Sequence, residues 1–144
     1  MKTIPIVVLA LVLGLNASAQ EKHTRIVSQI ALAEVANNIP TTTLYTPRED
    51  GLFNISGYMV NDNPVPGSAG DWQTSLGWTD SAGTWSFNRW FVLTDTANNS
   101  TIQGLGSVLT IRARAGQPIT YAVNGFAVPL GSTYSVYLTV EQVQ

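Results

Sequence analysis

Four aspartates could supply the pair of carboxyl groups that a glycoside hydrolase needs. They are Asp62, Asp71, Asp80 and Asp95. The reaction requires two carboxyl groups at a fixed separation, and the sequence spacing of these four fixes none. Asp80 and Asp95 stand near Gly or Asn residues, where a carboxylate that accepts hydrogen bonds from the nearby backbone favours a turn. We therefore interpret them as turn residues, and a carboxylate-pair glycosidase is the least favoured function.

Oxygen-bearing side chains bracket one loop and raise the alternative of a calcium site. Asn61, Asp62 and Asn63 begin this loop, and Asp71 ends it. Hard cations bind carboxylate and amide oxygens, so Asp62 and Asp71 are the weak calcium candidates. No EF-hand spacing supports them. We predict no metal ion and no cofactor, and these four residues are retained as a candidate loop site.

The residues that usually carry nucleophilic or zinc chemistry are scarce. The single histidine, His23, lies close to the predicted start of the mature chain, where chains tend to fray. No Gly-x-Ser-x-Gly motif exposes a serine, and one histidine without any cysteine falls short of a zinc site. We therefore predict that the protein is not an enzyme.

Four tryptophans lie within one predicted hairpin. Trp72 and Trp78 share one side of its first strand and Trp85 lies across the turn, so these three are expected to stack in the core. Trp90 has the opposite parity from Trp85 in the second strand. It is the candidate for an exposed platform that stacks on a sugar ring or fills a subunit interface.

Two arginines, Arg112 and Arg114, share one face of a later strand. Their guanidinium groups could pair with carboxylates of another subunit, and solvated surface arginines are the alternative interpretation. Together with Trp90 they are the predicted interface or glycan-binding residues.

Strands rather than helices position these residues, because apolar side chains recur with period two from residue 25 onward. The predicted strands cover residues 41–46, 52–60, 72–78, 85–93, 105–114, 119–123 and 134–141, with Arg25 to Glu34 as a strand or a short helix. Residues 61–70 form a long loop, since they contain two prolines and two glycines. About eight short strands must bury their apolar sides against a second sheet. We therefore predict an all-β fold, a two-sheet antiparallel β-sandwich.

The composition fits one globular domain. The chain has 144 residues, of which 44% are hydrophobic and 11% are charged, which excludes a disordered tail. Seven basic and nine acidic residues give a net charge of −2, so no positive field attracts nucleic acid. The chain has no cysteine, and its core must hold together without disulfides.

The first residues have the pattern of a cleaved secretory signal. Lys2 precedes an apolar run from Ile4 to Leu15, and Ala17-Ser18-Ala19 supplies the small residues of a cleavage site. We predict a signal peptide at 1–19 and a single domain at 20–144, with an uncleaved anchor helix as the alternative. The mature protein is then secreted, extracellular or at the cell surface, with the periplasm as a further alternative, and has no contact with the membrane.

Four segments of the chain resemble the C1q/TNF-like jelly roll. Tyr45–Pro47 and Gly51–Ser56 look like its early strand pair, while Ala115–Ile119 and Ser132–Leu138 resemble its later turn and closing strand. Uncharacterised bacterial and phage surface proteins with such patterns are more similar to this chain than animal C1q domains are. The resemblance implies a jelly-roll sandwich and a homotrimer packed through aromatic faces.

Our first hypothesis is a secreted, non-enzymatic structural or adhesive module that self-associates as a homotrimer or a larger extracellular assembly. A surface with few charges and many aromatic residues favours contact with copies of itself. Residues 25–40 form an N-terminal strand or arm, and Arg25 to Glu34 either pack within their own subunit or are donated to a neighbour's sheet edge. The alternative function is a carbohydrate-binding module that uses Trp90 and the loop from Asn61 to Gly70.

Overall fold

The computed structural model describes residues 24–63, 65, 70–94 and 106–143. The predicted signal peptide, His23 and Asp95 lie outside these residues. Within them, no helix is long and apolar enough to span a membrane.

Eight β-strands make up the described chain. They are β1 (Thr24–Val35), β2 (Ile39–Tyr45), β3 (Gly51–Asn63), β4 (Asp71–Thr79), β5 (Thr84–Thr94), β6 (Gly106–Ala113), β7 (Ile119–Phe126) and β8 (Thr133–Val143). Every pairing between them is antiparallel.

The strands form two four-stranded sheets. The front sheet has the order β1-β8-β3-β6 and the back sheet has the order β2-β7-β4-β5. Strands that follow one another in sequence therefore mostly lie in opposite sheets, which is the double Greek key of a jelly roll. The predicted all-β, two-sheet sandwich of jelly-roll type is confirmed.

The core fills the space between the sheets with alternating side chains. The front sheet contributes Phe53, Ile55 and Met59 from β3, and the back sheet contributes Leu76 and Val123, all of them almost fully buried. The alternation follows from strand geometry, because successive side chains point to opposite faces of a sheet. Gly57 completes the layer from β3, since a Cβ at this position would overlap the side chain of Leu138.

The N-terminal segment, predicted as a strand or a short helix, is a strand. β1 pairs along its length with β8 of its own chain, in a register that sets Gln29 opposite Thr139 and Ile30 opposite Leu138. Pro40 lies inside β2, which is an edge strand of the back sheet. An edge strand has one unpaired side, so the missing N–H of proline is tolerated there.

A bulge with two extra residues interrupts β5. Thr74 is the register partner of Phe91, whereas Leu76 is the partner of Phe87, so Ser75 alone lies opposite three residues of β5. The middle one, Arg89, has a φ of 58°, a left-handed conformation that is uncommon outside glycine. The extra residues turn the strand locally and re-aim its side chains.

Candidate functional site

Trp90, the predicted exposed platform, is buried. Only 6% of the residue is exposed, and its ring packs against Phe91 with the centroids 4.8 Å apart. The prediction of an exposed Trp90 is wrong because it assumed unbroken alternation along β5, and the bulge at Arg89 points this side chain into the core. The predicted carbohydrate-binding module thereby loses its stacking residue.

The exposed aromatic residues of the hairpin are instead Trp85 and Phe87, which are 48% and 43% exposed. Their register partners are Trp78 and Leu76, so they point to the inner side of the back sheet. They lie on edge strand β5, where the front sheet covers them only in part. The expectation that Trp85 packs in the core is therefore wrong.

Trp72 does lie in the core, as predicted. It is 3% exposed and packs against Tyr134, with the ring centroids 4.3 Å apart. Tyr134 joins the two sheets at this point, because it belongs to β8 of the front sheet and Trp72 belongs to β4 of the back sheet. The hydroxyl group of Tyr134 donates to the backbone oxygen of Asn37, and burial raises its pKa.

The residues of the predicted loop site lie on two strands of opposite sheets. Asn61, Asp62 and Asn63 belong to β3 of the front sheet, whereas Asp71 belongs to β4 of the back sheet. Asn61 is buried, while Asp62 and Asn63 are exposed. Among the described residues no group of three or more His, Cys, Asp or Glu side chains could hold a metal ion.

The carboxylates of this site have structural contacts instead. Asp62 accepts a hydrogen bond of 2.6 Å from the Ser135 hydroxyl and one of 3.2 Å from the backbone N–H of Glu34. It therefore ties the end of β1 to β3 across β8. Asp71 forms an ion pair with Arg89, at 3.5 Å, and accepts a hydrogen bond from Gln73. This ion pair connects β4 to the bulge of β5.

Asp80 has the turn role that its sequence context predicts. Its carboxylate accepts hydrogen bonds from the backbone N–H groups of Ala82, at 2.7 Å, and Gly83, at 3.1 Å. Hydrogen bonding from the side chain of Trp85 lowers the pKa of Asp80 most, followed by that from Ala82. A charged carboxylate here closes the hairpin between β4 and β5.

Arg112 and Arg114 are both exposed. They line an open cavity of about 310 Å³ with Asp50 and Asp80, at the end of the sandwich that carries the turns of β2–β3 and β4–β5. No carboxylate of the described residues lies within 4.0 Å of either guanidinium group. Asp50 instead accepts a hydrogen bond from the backbone N–H of Ala115. The structure thus leaves both arginines available to a partner or to water.

The outer side of the front sheet, called the front face, is apolar and aromatic in its middle. Tyr58 and Tyr137 are register partners whose rings stack with centroids 4.6 Å apart, and Tyr58 is 45% exposed. Val108 on β6 is 68% exposed and Ile26 on β1 is 53% exposed. The remaining outward side chains include Leu52, Asn54, Ser56, Val60, Asp62, Thr110, Arg112, Ser135, Thr139, Glu141, Gln29 and Ala31.

The charged side chains of the front face lie at the ends of its strands. Within the described residues, Arg112 and Glu141 lie at one end and Asp62 lies at the other. The rows between them carry hydroxyl, amide and apolar groups. Desolvating the middle of this face therefore buries no ionic group.

The outer side of the back sheet, called the back face, is polar. Its outward side chains are mainly hydroxyl and amide groups, namely Thr43, Asp71, Gln73, Ser75, Thr79, Thr84, Ser86, Val92, Thr94, Thr120, Ala122, Asn124 and Phe126. Phe126 is its exposed large apolar residue and lies at the end of β7. The two faces of the sandwich therefore differ sharply in chemistry.

A second apolar surface adjoins the front face. β5 is an edge of the back sheet and β6 is an edge of the front sheet, and the two edges lie on the same side of the sandwich, where β5 packs against β3 and β6. Trp85 and Phe87 are exposed on this side, which we call the open edge. Val108 of β6 lies at the border between the open edge and the front face.

Sequence reasoning missed these two surfaces. Tyr58 and Tyr137 stood on the expected sides of their strands, but no sequence signal gives the register that stacks them. The exposure of Trp85 and Phe87 depends on which strand is an edge, and that too is a property of the sheet order.

The comparisons with known proteins identify no family. No protein family model matches the sequence, and no curated protein matches it. Among solved structures, a chain of the acid-stable capsid of Helicobacter pylori bacteriophage KHP30 is 14% identical, with a TM-score of 0.49 over 84% of this chain and 92% of that chain.

Two further solved structures match this chain with similarly low sequence identity. A xylan-binding domain from Paenibacillus barcinonensis is 15% identical, with a TM-score of 0.42 over 87% of this chain and 83% of its own. Eiger TNF from S. frugiperda is 10% identical, with a TM-score of 0.39 over 85% and 90%. A TNF and a phage protein, the two kinds named by the sequence resemblance, are thus among the neighbours. At these identities nothing about ligands or assembly is carried over to this chain.

Proposed function

We propose that the protein is an exported, non-enzymatic structural module that binds copies of itself through the front face and the open edge. The observation that carries the proposal is the contrast between the two sides of the sandwich. Exposed aromatic and aliphatic side chains gather on the front face and the open edge, while the back face is covered by hydroxyl and amide groups.

Burial of these side chains supplies the free energy of association. Full burial of a large apolar side chain contributes about 1.5–3 kcal/mol, so covering the exposed part of Tyr58, Val108, Trp85 or Phe87 contributes about 1 kcal/mol each. Apposition of the front face requires little desolvation of charge, because its ionic groups lie at the strand ends. Stacked aromatic residues at the centre of a surface are also typical of interface hot spots.

The arrangement of the two surfaces favours a ring. The front face and the open edge differ from one another, so a contact between them is heterologous, and heterologous contacts generate closed rings when the rotation closes. Both surfaces meet along β6, which lets one copy use its front face on one neighbour and its open edge on the other. Three subunits is the number implied by the resemblance to C1q/TNF-like domains.

The proposal that the protein is exported rests on the predicted signal peptide, residues 1–19. The apolar run from Ile4 to Leu15 followed by Ala17-Ser18-Ala19 is typical of a cleaved secretory signal. Mass spectrometry of the exported protein tests this part, with an expected N-terminus at Gln20.

The test of self-association places a lysine where the front face meets the open edge. Val108→Lys puts a charge on the exposed front face at edge strand β6, and Val92→Lys puts the same charge on the back face at edge strand β5. We expect light scattering with size-exclusion chromatography to give an oligomer for the unchanged protein and for Val92→Lys, and a monomer for Val108→Lys. A monomeric unchanged protein at micromolar concentration would remove the proposal, and so would equal masses for the two variants.

A further inference from the structure

One end of the sandwich carries an apolar surface, called the end surface, whose groove is lined by uncharged described residues. It consists of residues 36–38 between β1 and β2 and residues 125–131 at the end of β7 and in the connection to β8. Five consecutive apolar residues, Phe126 to Leu130, lie between two glycines. Phe126 is 70% exposed and Leu130 is 101% exposed. Runs of this kind at a surface are costly in solubility unless they have a use.

The turn that presents Leu130 is held in place. The backbone N–H of Ser132 donates to the oxygen of Pro129, at 3.2 Å, and Gly131 has a φ of 93°, which only glycine adopts readily. The Asn63 side chain donates to the oxygen of Gly131, at 2.8 Å. Leu130 is therefore displayed on an ordered turn, and little conformational entropy is lost when it enters a partner.

A groove lies beside this projecting leucine. It has a volume of about 810 Å³ and runs between the Asn37–Asn38 segment and the residues around Val128 and Leu130. None of its lining residues is charged. The backbone N–H of Gly125 donates to the Asn38 side-chain oxygen, at 2.8 Å, which fixes one wall of the groove.

We propose that the end surface binds the end surface of a second copy about a two-fold axis, with the Leu130 turn of each copy in the groove of the other. A two-fold contact uses the same surface twice, so that surface must carry both the projecting group and the recess. It also brings any charge near the axis close to its own copy, and an uncharged lining avoids that repulsion. The amide groups of Asn37 and Asn38 can hydrogen-bond the backbone of the entering turn.

A second copy fits the end surface better than a lipid bilayer does. The lining contains no lysine or arginine to attract anionic headgroups. Insertion into hydrocarbon would also bury the side-chain amide of Asn37 and the NH2 group of Asn38 without partners, which is unfavourable.

The contact is small, and this ties it to the proposed function. A stable interface buries about 800 Å² on each partner, more than Phe126 and Leu130 supply, so two isolated copies would not stay together. In a cyclic ring, however, the end surfaces of all subunits lie at the same height along the rotation axis of the ring. Two rings then meet through several end surfaces at once, and multivalency strengthens the pairing without new contacts. The inference rests on the ring and predicts a double ring.

Two aspartate variants test the pairing. Leu130→Asp places a charge at the fully exposed tip of the turn, and Gln117→Asp places the same charge in the exposed turn at the opposite end of the sandwich. We expect light scattering to show that Leu130→Asp has half the mass of the unchanged protein, while Gln117→Asp and the conservative Leu130→Met keep the full mass. Circular dichroism of each variant controls for folding.

The outcomes separate this inference from the proposed function. If Leu130→Asp forms an oligomer of unchanged mass, the end pairing is refuted and the ring survives. If the unchanged protein is monomeric, both proposals fail, because the end contact is too small to act alone. A third outcome is that the mass of the unchanged protein falls only when vesicles of phosphatidylcholine are added, and that Leu130→Asp abolishes this fall. The end surface then binds lipid instead of a second copy.

Discussion

Replacing Trp90 with alanine tests whether the bulge in β5 points this side chain into the core. The residue is 6% exposed and packs on Phe91. Truncation of a buried tryptophan to alanine costs about 3–5 kcal/mol, out of a total unfolding free energy of about 5–15 kcal/mol for a domain. We therefore expect Trp90→Ala to lose about a fifth or more of the stability. Trp85→Ala is the matched control, since the same change at a residue that is 48% exposed should cost about half as much.

The assay is unfolding in urea, followed by far-UV circular dichroism. If the unfolding free energy falls with urea concentration at the same slope in each variant, the shift in the midpoint urea concentration, multiplied by that slope, gives the loss of unfolding free energy. Equal midpoints for Trp90→Ala and Trp85→Ala would refute the burial of Trp90. The reasoning would also fail if Trp90→Ala kept full stability and lost binding to a polysaccharide, because the side chain would then be the exposed platform that simple alternation predicts.

Two further perturbations have expected signs. Arg89→Gly should change the unfolding free energy by less than about 1 kcal/mol. Glycine relieves the left-handed backbone, and this gain offsets the loss of the exposed ion pair with Asp71. A larger loss of unfolding free energy in urea would contradict this. Burial raises the pKa of Tyr121 and Tyr134 above the ordinary value of 10.0, so the folded protein holds these protons more tightly than the unfolded chain. The contribution of these two tyrosines to stability should then be constant below about pH 10 and fall as the pH rises further, and Tyr134→Phe should make that fall shallower in unfolding measured as a function of pH; an unchanged slope would contradict it.

The strands could be predicted because their signal is local. Period-two alternation gave β2 to β8 and left the β1 segment as a strand or a short helix. The ends of β3 and β7 were placed three residues too early; for β3 this is because Asn61 to Asn63 looked like a loop and are paired with β8. The hairpin of β4 and β5 was identified from its aromatic residues and the turn at Asp80.

The site could not be predicted because it depends on two non-local properties. A bulge breaks the alternation at Arg89, and no residue type there announces a left-handed backbone, so Trp90 was placed on the wrong side. Sheet order decides that β5 and β6 are edges, and hence that Trp85 and Phe87 are exposed. Sheet order also decides that Asp62 and Asp71, which are close in sequence, belong to opposite sheets.

The register of the outermost front-sheet pair fixes where attached segments leave the molecule. Thr24 is the register partner of Val143, which places their Cα atoms roughly 5 Å apart, at the pole opposite the Leu130 turn. A segment that continues from Thr24 or from Val143 therefore leaves the sandwich at that pole, away from the joint between two rings. Joining Thr24 to Val143 through a short linker and opening the chain in an exposed turn should give a circular permutant with the same strand pairing.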